Sequence, residues 1–187
     1  MRIIGGTMRG TKLYTLEGEN TRPTLDRVKE SLFNILNFKF QEAVVLDLFS
    51  GSGALGLESI SRGAKKAVLC DSSKEAFKII SSNVEKTRAT EKIKKYNLDY
   101  EKCLKVLGDE NYKFDIVFLD PPYESEYYRK SLDLIYDLNL LSEDAVVILE
   151  TDDRDRIISC IDETKYCIYD ERKYGRAILI FLKIRKG

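Results

Sequence analysis

Apolar residues in the first forty positions follow two local patterns. Around the glycine turn Gly5-Gly6, they predict short strands at Arg2–Gly5 and Thr11–Thr15. The next segment has apolar residues at helical spacing and predicts a helix from an N-cap at Thr24 to about Asn37. The positions on its apolar face are Leu25, Val28, Leu32, Ile35 and Leu36.

From residue 43 onward, short runs of apolar residues alternate with helical spacing. Continuous apolar runs of this length indicate buried parallel strands, here Ala43–Leu48, Ala67–Cys70, Ile93–Asn97, Ile116–Leu119 and Ala145–Leu149. The intervening spacing predicts helices at about Ala54–Arg62, Lys74–Thr87, Tyr100–Leu107 and Tyr127–Leu138, with a short one near Ile157–Ile161. Two final strands are predicted at Tyr166–Asp170 and Ala177–Ile184, joined by a hairpin at Lys173-Tyr174-Gly175.

This alternation predicts an α/β fold with a doubly wound, Rossmann-like sheet that ends in an antiparallel hairpin. We divide the chain into a small N-terminal extension, residues 1–40, and a ligand-binding catalytic domain, residues 41–187. Doubly wound sheets bind ligands beyond the carboxyl ends of their strands, where the strand order reverses. Candidate chemistry is therefore expected at that edge.

The composition restricts that chemistry. The 187 residues include no histidine, which excludes Ser-His-Asp and Cys-His mechanisms. The four cysteines form no CxxC pair, so we expect no metal site and interpret them as small buried residues. No apolar run approaches the length of a membrane span, and the N-terminus has no signal-peptide pattern. We expect a cytoplasmic protein.

Charge is unevenly distributed along a chain whose net charge is zero. Residues 1–39 carry a net charge of +3 and residues 172–187 a net charge of +6, which leaves the middle at −9. Basic ends of this kind can meet nucleic-acid phosphates, although solvated terminal charge explains them equally simply.

A glycine-rich loop follows the first predicted core strand and opens a helix. Gly51, Gly53 and Gly56 satisfy the spacing GxGxxG, and Asp71 ends the next strand. Glycine permits the tight turn and a close approach of backbone to ligand. The loop suits either a dinucleotide or S-adenosyl-L-methionine; a packing turn without a ligand is the alternative.

Four carboxylates favour S-adenosyl-L-methionine over a dinucleotide. Asp47, Asp71, Asp99 and Asp120 all lie at or just beyond strand ends, where they repel a pyrophosphate and suit a sulfonium and an ammonium group. Asp71 could accept hydrogen bonds from the ribose hydroxyls of the cofactor, and Asp99 could accept one from its adenine amine. Either carboxylate could instead cap a helix. The predicted cofactor-binding residues are Asp47, Phe49, Ser50, Gly51, Gly53, Gly56, Asp71 and Asp99.

A second motif, Asp-Pro-Pro-Tyr, ends the strand Ile116–Leu119. Its residues Asp120, Pro121, Pro122 and Tyr123 are the predicted catalytic set. The prolines fix the backbone, so the Asp120 carboxylate and the next carbonyl can accept both hydrogens of an exocyclic amine, while Tyr123 offers a face for base stacking. This arrangement predicts methyl transfer to a base amine without histidine or metal. A purely structural turn is the alternative.

Two N-terminal signatures, together with the motifs above, resemble the RsmD family. The signatures are Arg2-Ile3-Ile4-Gly5-Gly6 with Arg9-Gly10, and the stretch Arg22-Pro23-Thr24-Leu25-Asp26-Arg27-Val28-Lys29-Glu30-Ser31-Leu32-Phe33-Asn34. The late Lys173-Tyr174-Gly175 also fits, whereas Asp99-Tyr100 departs from the Asp-Ala that many relatives carry. The resemblance covers nearly the whole chain.

The resemblance implies a class I methyltransferase fold with S-adenosyl-L-methionine as cofactor. It further implies methylation of a guanine N2, of the guanine 966 type, in 16S ribosomal RNA. The partner would be the small ribosomal subunit or its assembly intermediate rather than naked RNA, with no membrane and no metal.

The basic residues near both chain ends are then expected to face that RNA. They include Lys12, Lys29, Arg172, Lys183, Arg185 and Lys186, and the predicted substrate-binding residues are Arg2, Arg9, Arg22, Thr24, Arg27, Lys173 and Arg176. Arg22 and Arg27 could alternatively form exposed ion pairs with Asp26 and Glu30, which contribute little to stability.

Two other functions remain open at this stage. Asp-Pro-Pro-Tyr does not distinguish guanine N2 from adenine N6, so an adenine-N6 methyltransferase of DNA or RNA fits the motif equally well. A ribosome assembly factor that retains the fold without turnover is the alternative of a different class.

Overall fold

The computed structural model describes residues 1–16, 23–122 and 125–185 as an α/β fold with six helices and seven strands. Most element boundaries agree with the sequence pattern to within two residues; the main extensions are at the two ends of the fifth strand and at the end of the sixth. In chain order the elements are α1 (Pro23–Ile35), β1 (Val44–Asp47), α2 (Ala54–Ser61), β2 (Lys66–Cys70), α3 (Lys74–Lys86), β3 (Ile93–Tyr96), α4 (Tyr100–Asp109), β4 (Phe114–Leu119), α5 (Ser125–Asp137), β5 (Leu141–Thr151), α6 (Arg154–Ile158), β6 (Tyr166–Tyr174) and β7 (Ala177–Ile184).

The seven strands form one sheet in the order β3-β2-β1-β4-β5-β7-β6. β1 to β5 pair in parallel, whereas β7 inserts antiparallel between β5 and β6. The strand order reverses at β1 and β4, which is where a doubly wound sheet opens a ligand crevice. The predicted Rossmann-like class I methyltransferase sheet with a terminal antiparallel hairpin is confirmed.

Apolar side chains fill both faces of this sheet. One face packs against α4, α5 and α6. The opposite face packs against α1, α2 and α3. Ile3, Leu13 and Phe33 belong to this second cluster together with strand residues such as Phe118. The N-terminal forty residues therefore share a hydrophobic core with the sheet.

The two N-terminal strands predicted at Arg2–Gly5 and Thr11–Thr15 are reduced to a single antiparallel bridge between Arg2 and Lys12. The reason is a competing partner for the backbone. The amides of Ile4 and Gly5 each donate to the Glu58 carboxylate at 2.8 Å, so they are not available to a strand ladder.

Three further predictions need correction. α1 begins at Pro23, whose fixed φ suits the first helical position, so Thr24 lies inside the helix and not at its cap. Ile35 is exposed and Phe33 is buried in its place. The terminal hairpin turns at Gly175-Arg176, because Gly175 adopts a φ of +64°, and Lys173 and Tyr174 lie within β6.

Within the described ranges, no helix is long and apolar enough to cross a membrane. Cys70, Cys103 and Cys160 are buried free thiols, and Cys167 is half-buried. The same ranges contain no group of three or more acidic or cysteine side chains placed to hold a metal ion.

Candidate active site

The glycine loop joins the carboxyl end of β1 to the start of α2. Gly51 and Gly53 adopt φ values of +54° and +81°, which residues other than glycine rarely adopt. Gly56 packs against β2, where an added Cβ would lie 2.1 Å from Leu69 Cδ2. Two glycines thus shape the loop, and the third lets the helix approach the sheet.

Asp47, the last residue of β1, holds the loop from inside. Its side chain is 3% exposed and accepts hydrogen bonds from the Ser50 hydroxyl at 2.9 Å and the Gly56 amide at 3.2 Å. Burial raises the pKa of this carboxyl to about 6, against the opposing effect of those two bonds. The described bonds of this predicted cofactor ligand all go to the loop itself.

Asp71 and Asp99 follow β2 and β3 at the same edge. Asp71 accepts from the Gly51 amide and from the Ser73 amide, both at 2.9 Å, so it also braces the loop. Asp99 caps α4 by accepting from the Glu101 amide at 2.9 Å, which is the alternative that the sequence left open. Each of these hydrogen bonds occupies one lone pair of one carboxylate oxygen. The other lone pairs can still accept hydrogen bonds from a ligand.

Three aromatic rings pack together beside the loop. Phe49, Tyr100 and Tyr127 contact one another with ring centroids 5.3–6.2 Å apart. They come from the loop, the start of α4 and the start of α5, so they tie together the three segments that follow β1, β3 and β4. Burial raises the pKa of Tyr100, which keeps its hydroxyl protonated.

The second motif begins where β4 ends. Asp120 is exposed, Pro121 is buried and Pro122 is exposed, while Tyr123 lies outside the described residues. β1 and β4 are neighbours, with Asp47 opposite Phe118, and the Leu48 amide donates to the Phe118 carbonyl at 3.3 Å. The glycine loop and Asp120 therefore leave adjacent strands at the same edge.

Glu150 is a further carboxylate at this edge that sequence reasoning missed. It ends the apolar run of β5, and Leu119 lies opposite Leu149, so the next positions along β4 and β5 are Asp120 and Glu150. The Tyr128 hydroxyl donates to the Glu150 carbonyl at 2.5 Å. The available signal was an acidic residue closing a buried strand, the same signal that identified Asp47 and Asp120.

A buried charged cluster seats the N-terminal segment and was also missed. Glu58 on α2 is fully buried; besides the two backbone amides, it pairs with Arg62 Nε at 2.8 Å and Lys29 Nζ at 3.4 Å. Lys29 also donates to the Arg2 carbonyl at 2.7 Å, so it is not the RNA-facing cation expected from its sequence position. The signal was one charged residue, a glutamate, in an otherwise uncharged helix.

Asn83 on α3 joins the same segment to the glycine loop. Its buried amide donates to the carbonyls of Tyr14 and Ser52, at 2.9 and 2.8 Å, and accepts from the Tyr14 amide at 2.8 Å. The N-terminal segment and the loop are thus fixed to each other through a single side chain.

The predicted substrate-binding residues occupy several places. Arg2, Arg9 and Arg27 are exposed, as are Lys173 and Arg176. The turn carrying Arg9 is bound by Ser61, at the last residue of α2 and the helix end remote from the loop. Arg22 lies outside the described residues, as does the side chain of Thr24.

The C-terminal basic residues do not form one surface. β7 runs antiparallel to β5, with Ile178 opposite Thr151, so the turn carrying Arg176 lies at the carboxyl edge near Glu150. Lys183 and Arg185 lie at the opposite edge of the sheet, because the hairpin returns there. Only the turn end of the hairpin can contribute to the site.

This edge combines acceptors for cationic and amine groups. The carboxylates that follow β2 and β4, Asp71 and Asp120, suit a cationic ligand, and they disfavour a pyrophosphate. These are the donor and acceptor requirements of S-adenosyl-L-methionine beside an exocyclic amine, and the described residues fit both.

Known proteins resemble the chain along most of its length. The family model described as conserved hypothetical protein 95 matches residues 1–183. A putative rRNA methyltransferase, YlbH, of Bacillus subtilis is 37% identical over 152 residues, which cover 81% of this chain and 83% of YlbH. The ribosomal RNA small subunit methyltransferase D of Escherichia coli is 36% identical over 152 residues, covering 81% of this chain and 75% of that protein.

A solved structure extends the likeness to the whole fold. The putative methyltransferase yhhF from Escherichia coli superposes with a TM-score of 0.83 at 27% sequence identity, covering 98% of this chain and 97% of that one. The family match, the identities and the shared fold agree with the signatures read in the sequence. The chain belongs to the conserved hypothetical protein 95 family, the RsmD family of methyltransferases.

Proposed function

We propose that this protein transfers a methyl group from S-adenosyl-L-methionine to the N2 amine of a guanine in the 16S RNA of the small ribosomal subunit. The observation that carries the proposal is the adjacency of the two motifs. The glycine loop follows β1 and Asp120 follows β4, and these strands are paired, so cofactor and target amine meet at one edge.

The chemistry asked of the chain is modest. The cofactor supplies a methyl group on a cationic sulfur, which keeps the electron pair of the broken carbon–sulfur bond and leaves as a neutral thioether. Asp120 and the Pro121 carbonyl accept the two hydrogens of the amine and turn its lone pair toward the methyl carbon. The new carbon–nitrogen bond makes the nitrogen cationic, and Asp120 stabilises that charge and takes the excess proton.

The RNA substrate is supported by the relatives. The proteins from Haemophilus influenzae and Escherichia coli that match over most of this chain are named ribosomal RNA small subunit methyltransferase D. The guanine N2 target rests on the resemblance of the N-terminal signatures to the RsmD family. The substrate is a small subunit or its assembly intermediate, in the cytoplasm, and no metal takes part.

We assign the RNA-facing surface to the edge around Asp120. Arg27 on α1 and the turn of the terminal hairpin, with Lys173 and Arg176, supply exposed positive charge for backbone phosphates. A base must leave its stack to reach Asp120, and holding the flanking backbone makes that extrusion less costly. We include Tyr123 for base stacking and Arg22 for substrate binding, because each belongs to one of the sequence motifs described above.

Nucleoside analysis tests the function. Small subunits from cells lacking this protein are incubated with purified protein and tritiated S-adenosyl-L-methionine, and the RNA is digested to nucleosides. We expect label in N2-methylguanosine, at one nucleotide. Label in N6-methyladenosine would identify the adenine-N6 enzyme instead, and no label on subunits or on their assembly intermediates would identify a binding factor.

A further inference from the structure

Glu150 has a place in the pocket that the proposed reaction has not used. It lies one register step beyond the pair Leu119 and Leu149, directly beside Asp120 on the neighbouring strand. Adjacent strands are about 4.8 Å apart, so these two carboxylates are close neighbours. Because Pro121 restricts Asp120 to an extended backbone, the strand alternation continues through Asp120.

The alternation also fixes the face on which the Glu150 side chain projects. Phe118 and Ile148, two positions earlier, belong to the core cluster on the α1 side of the sheet. Side chains two residues apart on a strand share a face, so Glu150 projects to that side too. Leu179 of β7 pairs with Glu150 from the other direction and lies in the same cluster.

The Glu150 carboxylate makes no hydrogen bond or ion pair with any residue in the described ranges. Its backbone carbonyl, in contrast, is bound by the Tyr128 hydroxyl, which fixes the strand end. Burial raises the pKa of the Glu150 carboxyl, so the ionised carboxylate, which only accepts hydrogen bonds, is the form present above that raised pKa. Glu150 is half-buried, so a ligand at this edge can reach its carboxylate and donate to it.

We infer that Glu150 determines base specificity by accepting the N1–H of the target guanine, while Asp120 engages the N2 amine. Guanine presents N1–H and N2–H₂ side by side on its Watson–Crick edge. Two neighbouring carboxylates match that row of donors. Adenine presents an acceptor at N1 beside its N6 amine, so its ring nitrogen would face a carboxylate with no proton between them. This inference rests on the proposed function.

A base analogue separates this role from the general requirement for an amine. 2-Aminopurine keeps the amine at C2 but has an acceptor at N1, as adenine does. The probe is a small subunit reconstituted with 2-aminopurine at the nucleotide that the protein labels, compared with one carrying guanine there. We expect the protein to prefer guanine by about ten- to hundredfold in kcat/KM.

The substitution Glu150→Gln tests the residue itself. A glutamine amide can accept from guanine N1–H through its oxygen or donate to the 2-aminopurine N1 through its nitrogen. We therefore expect the preference to fall to within about threefold. Loss of the purine O6 affects both proteins alike, so the change in the ratio isolates N1. Glu143→Gln, on the exposed opposite end of β5, is the matched control and should keep the wild-type preference.

Each outcome decides the inference. A wild-type preference under threefold overturns it without any variant. An unchanged preference in Glu150→Gln, or equal losses on both bases with a lowered melting temperature, makes Glu150 a structural residue and overturns it. Transfer to guanine N2 by the wild-type protein, tested first, decides the proposed function separately, and failure of that transfer removes both.

Discussion

The carboxylates of this protein fall into two regions that use the same group in opposite ways. Around the glycine loop and α2, Asp47, Asp71 and Glu58 accept from the protein's own amides and side chains. Where β4 and β5 end, Asp120 and Glu150 stand side by side at the proposed base pocket. In the first region the carboxylates hold the protein's own backbone and side chains, and for the second region we propose contacts with the substrate. Replacing members of each region should therefore disturb different properties.

The largest effect is expected at Asp120. Asp120→Ala removes the group that stabilises charge developing on the amine, so kcat should fall by about 10²- to 10⁴-fold. Cofactor affinity should stay nearly constant, because that carboxylate is assigned to the amine. Single-turnover methyl transfer and calorimetry measure the two quantities. A parallel loss of cofactor affinity would place Asp120 with the scaffold carboxylates and break the comparison.

Glu58 should show the opposite behaviour. Glu58→Ala leaves the buried Lys29, the half-buried Arg62 and two half-buried backbone amides without their acceptor, at a cost of about 3–5 kcal/mol in unfolding free energy. Urea denaturation measures this cost. An exposed glutamate on a helix, changed as Glu85→Ala, is the control and should shift stability by no more than about 0.5 kcal/mol. A comparable shift in both variants would show that the buried cluster contributes nothing special.

Asp47 predicts a pH dependence of stability. Its pKa is raised from the ordinary 3.8 to about 6, so between these values the folded protein holds a proton that the unfolded chain has lost. Stability from this group is therefore greatest below pH 4 and declines by about 3 kcal/mol as the pH rises to 6. Asp47→Asn, which can keep the bonds from Ser50 and Gly56, should remove that decline. Denaturation at a series of pH values measures the free energy of unfolding. An identical decline with pH in the wild type and in Asp47→Asn would show that Asp47 is not its source.

The smallest effect on the fold is expected from Arg22 and Arg27, the arginines of the second N-terminal signature. The double change Arg22→Ala and Arg27→Ala should leave the melting temperature and cofactor affinity almost unchanged. Binding to small subunits should weaken and lose part of its salt dependence, because each lost phosphate contact removes counterion release. Lys105→Ala, exposed on α4 across the sheet, is the control. An unaltered salt slope in the double variant would move the RNA surface elsewhere.

Local patterns were sufficient wherever one segment determines its own structure. β1, β2, β4 and β5 were predicted because continuous apolar runs indicate burial on both faces, and the glycine loop because its spacing imposes the turn. The antiparallel insertion of β7 between β5 and β6 was seen only as a hairpin, since its partner strand is set by the sheet.

Contacts between segments far apart in the chain could not be predicted from local sequence patterns. The prediction of two N-terminal strands was wrong because the amides of Ile4 and Gly5 donate to Glu58, more than fifty residues away. Asp99 was ambiguous, because a cap and a ligand contact use the same acceptor. Glu150 gained its meaning only when β5 was found in register with β4. The hairpin places the basic residues near the C-terminus at two opposite edges of the sheet. Composition alone does not reveal that separation.

The seating of the N-terminal segment also has a consequence for the order of biosynthesis. Ile4 and Gly5 find their acceptor on Glu58, and Tyr14 finds both of its backbone partners on Asn83. These partners are 53 to 69 residues further along the chain. During synthesis these backbone groups therefore lack their Glu58 and Asn83 partners until α2 and α3 have followed them. Because such long-range contacts close late, this segment reaches its final position only after α2 and α3 have formed.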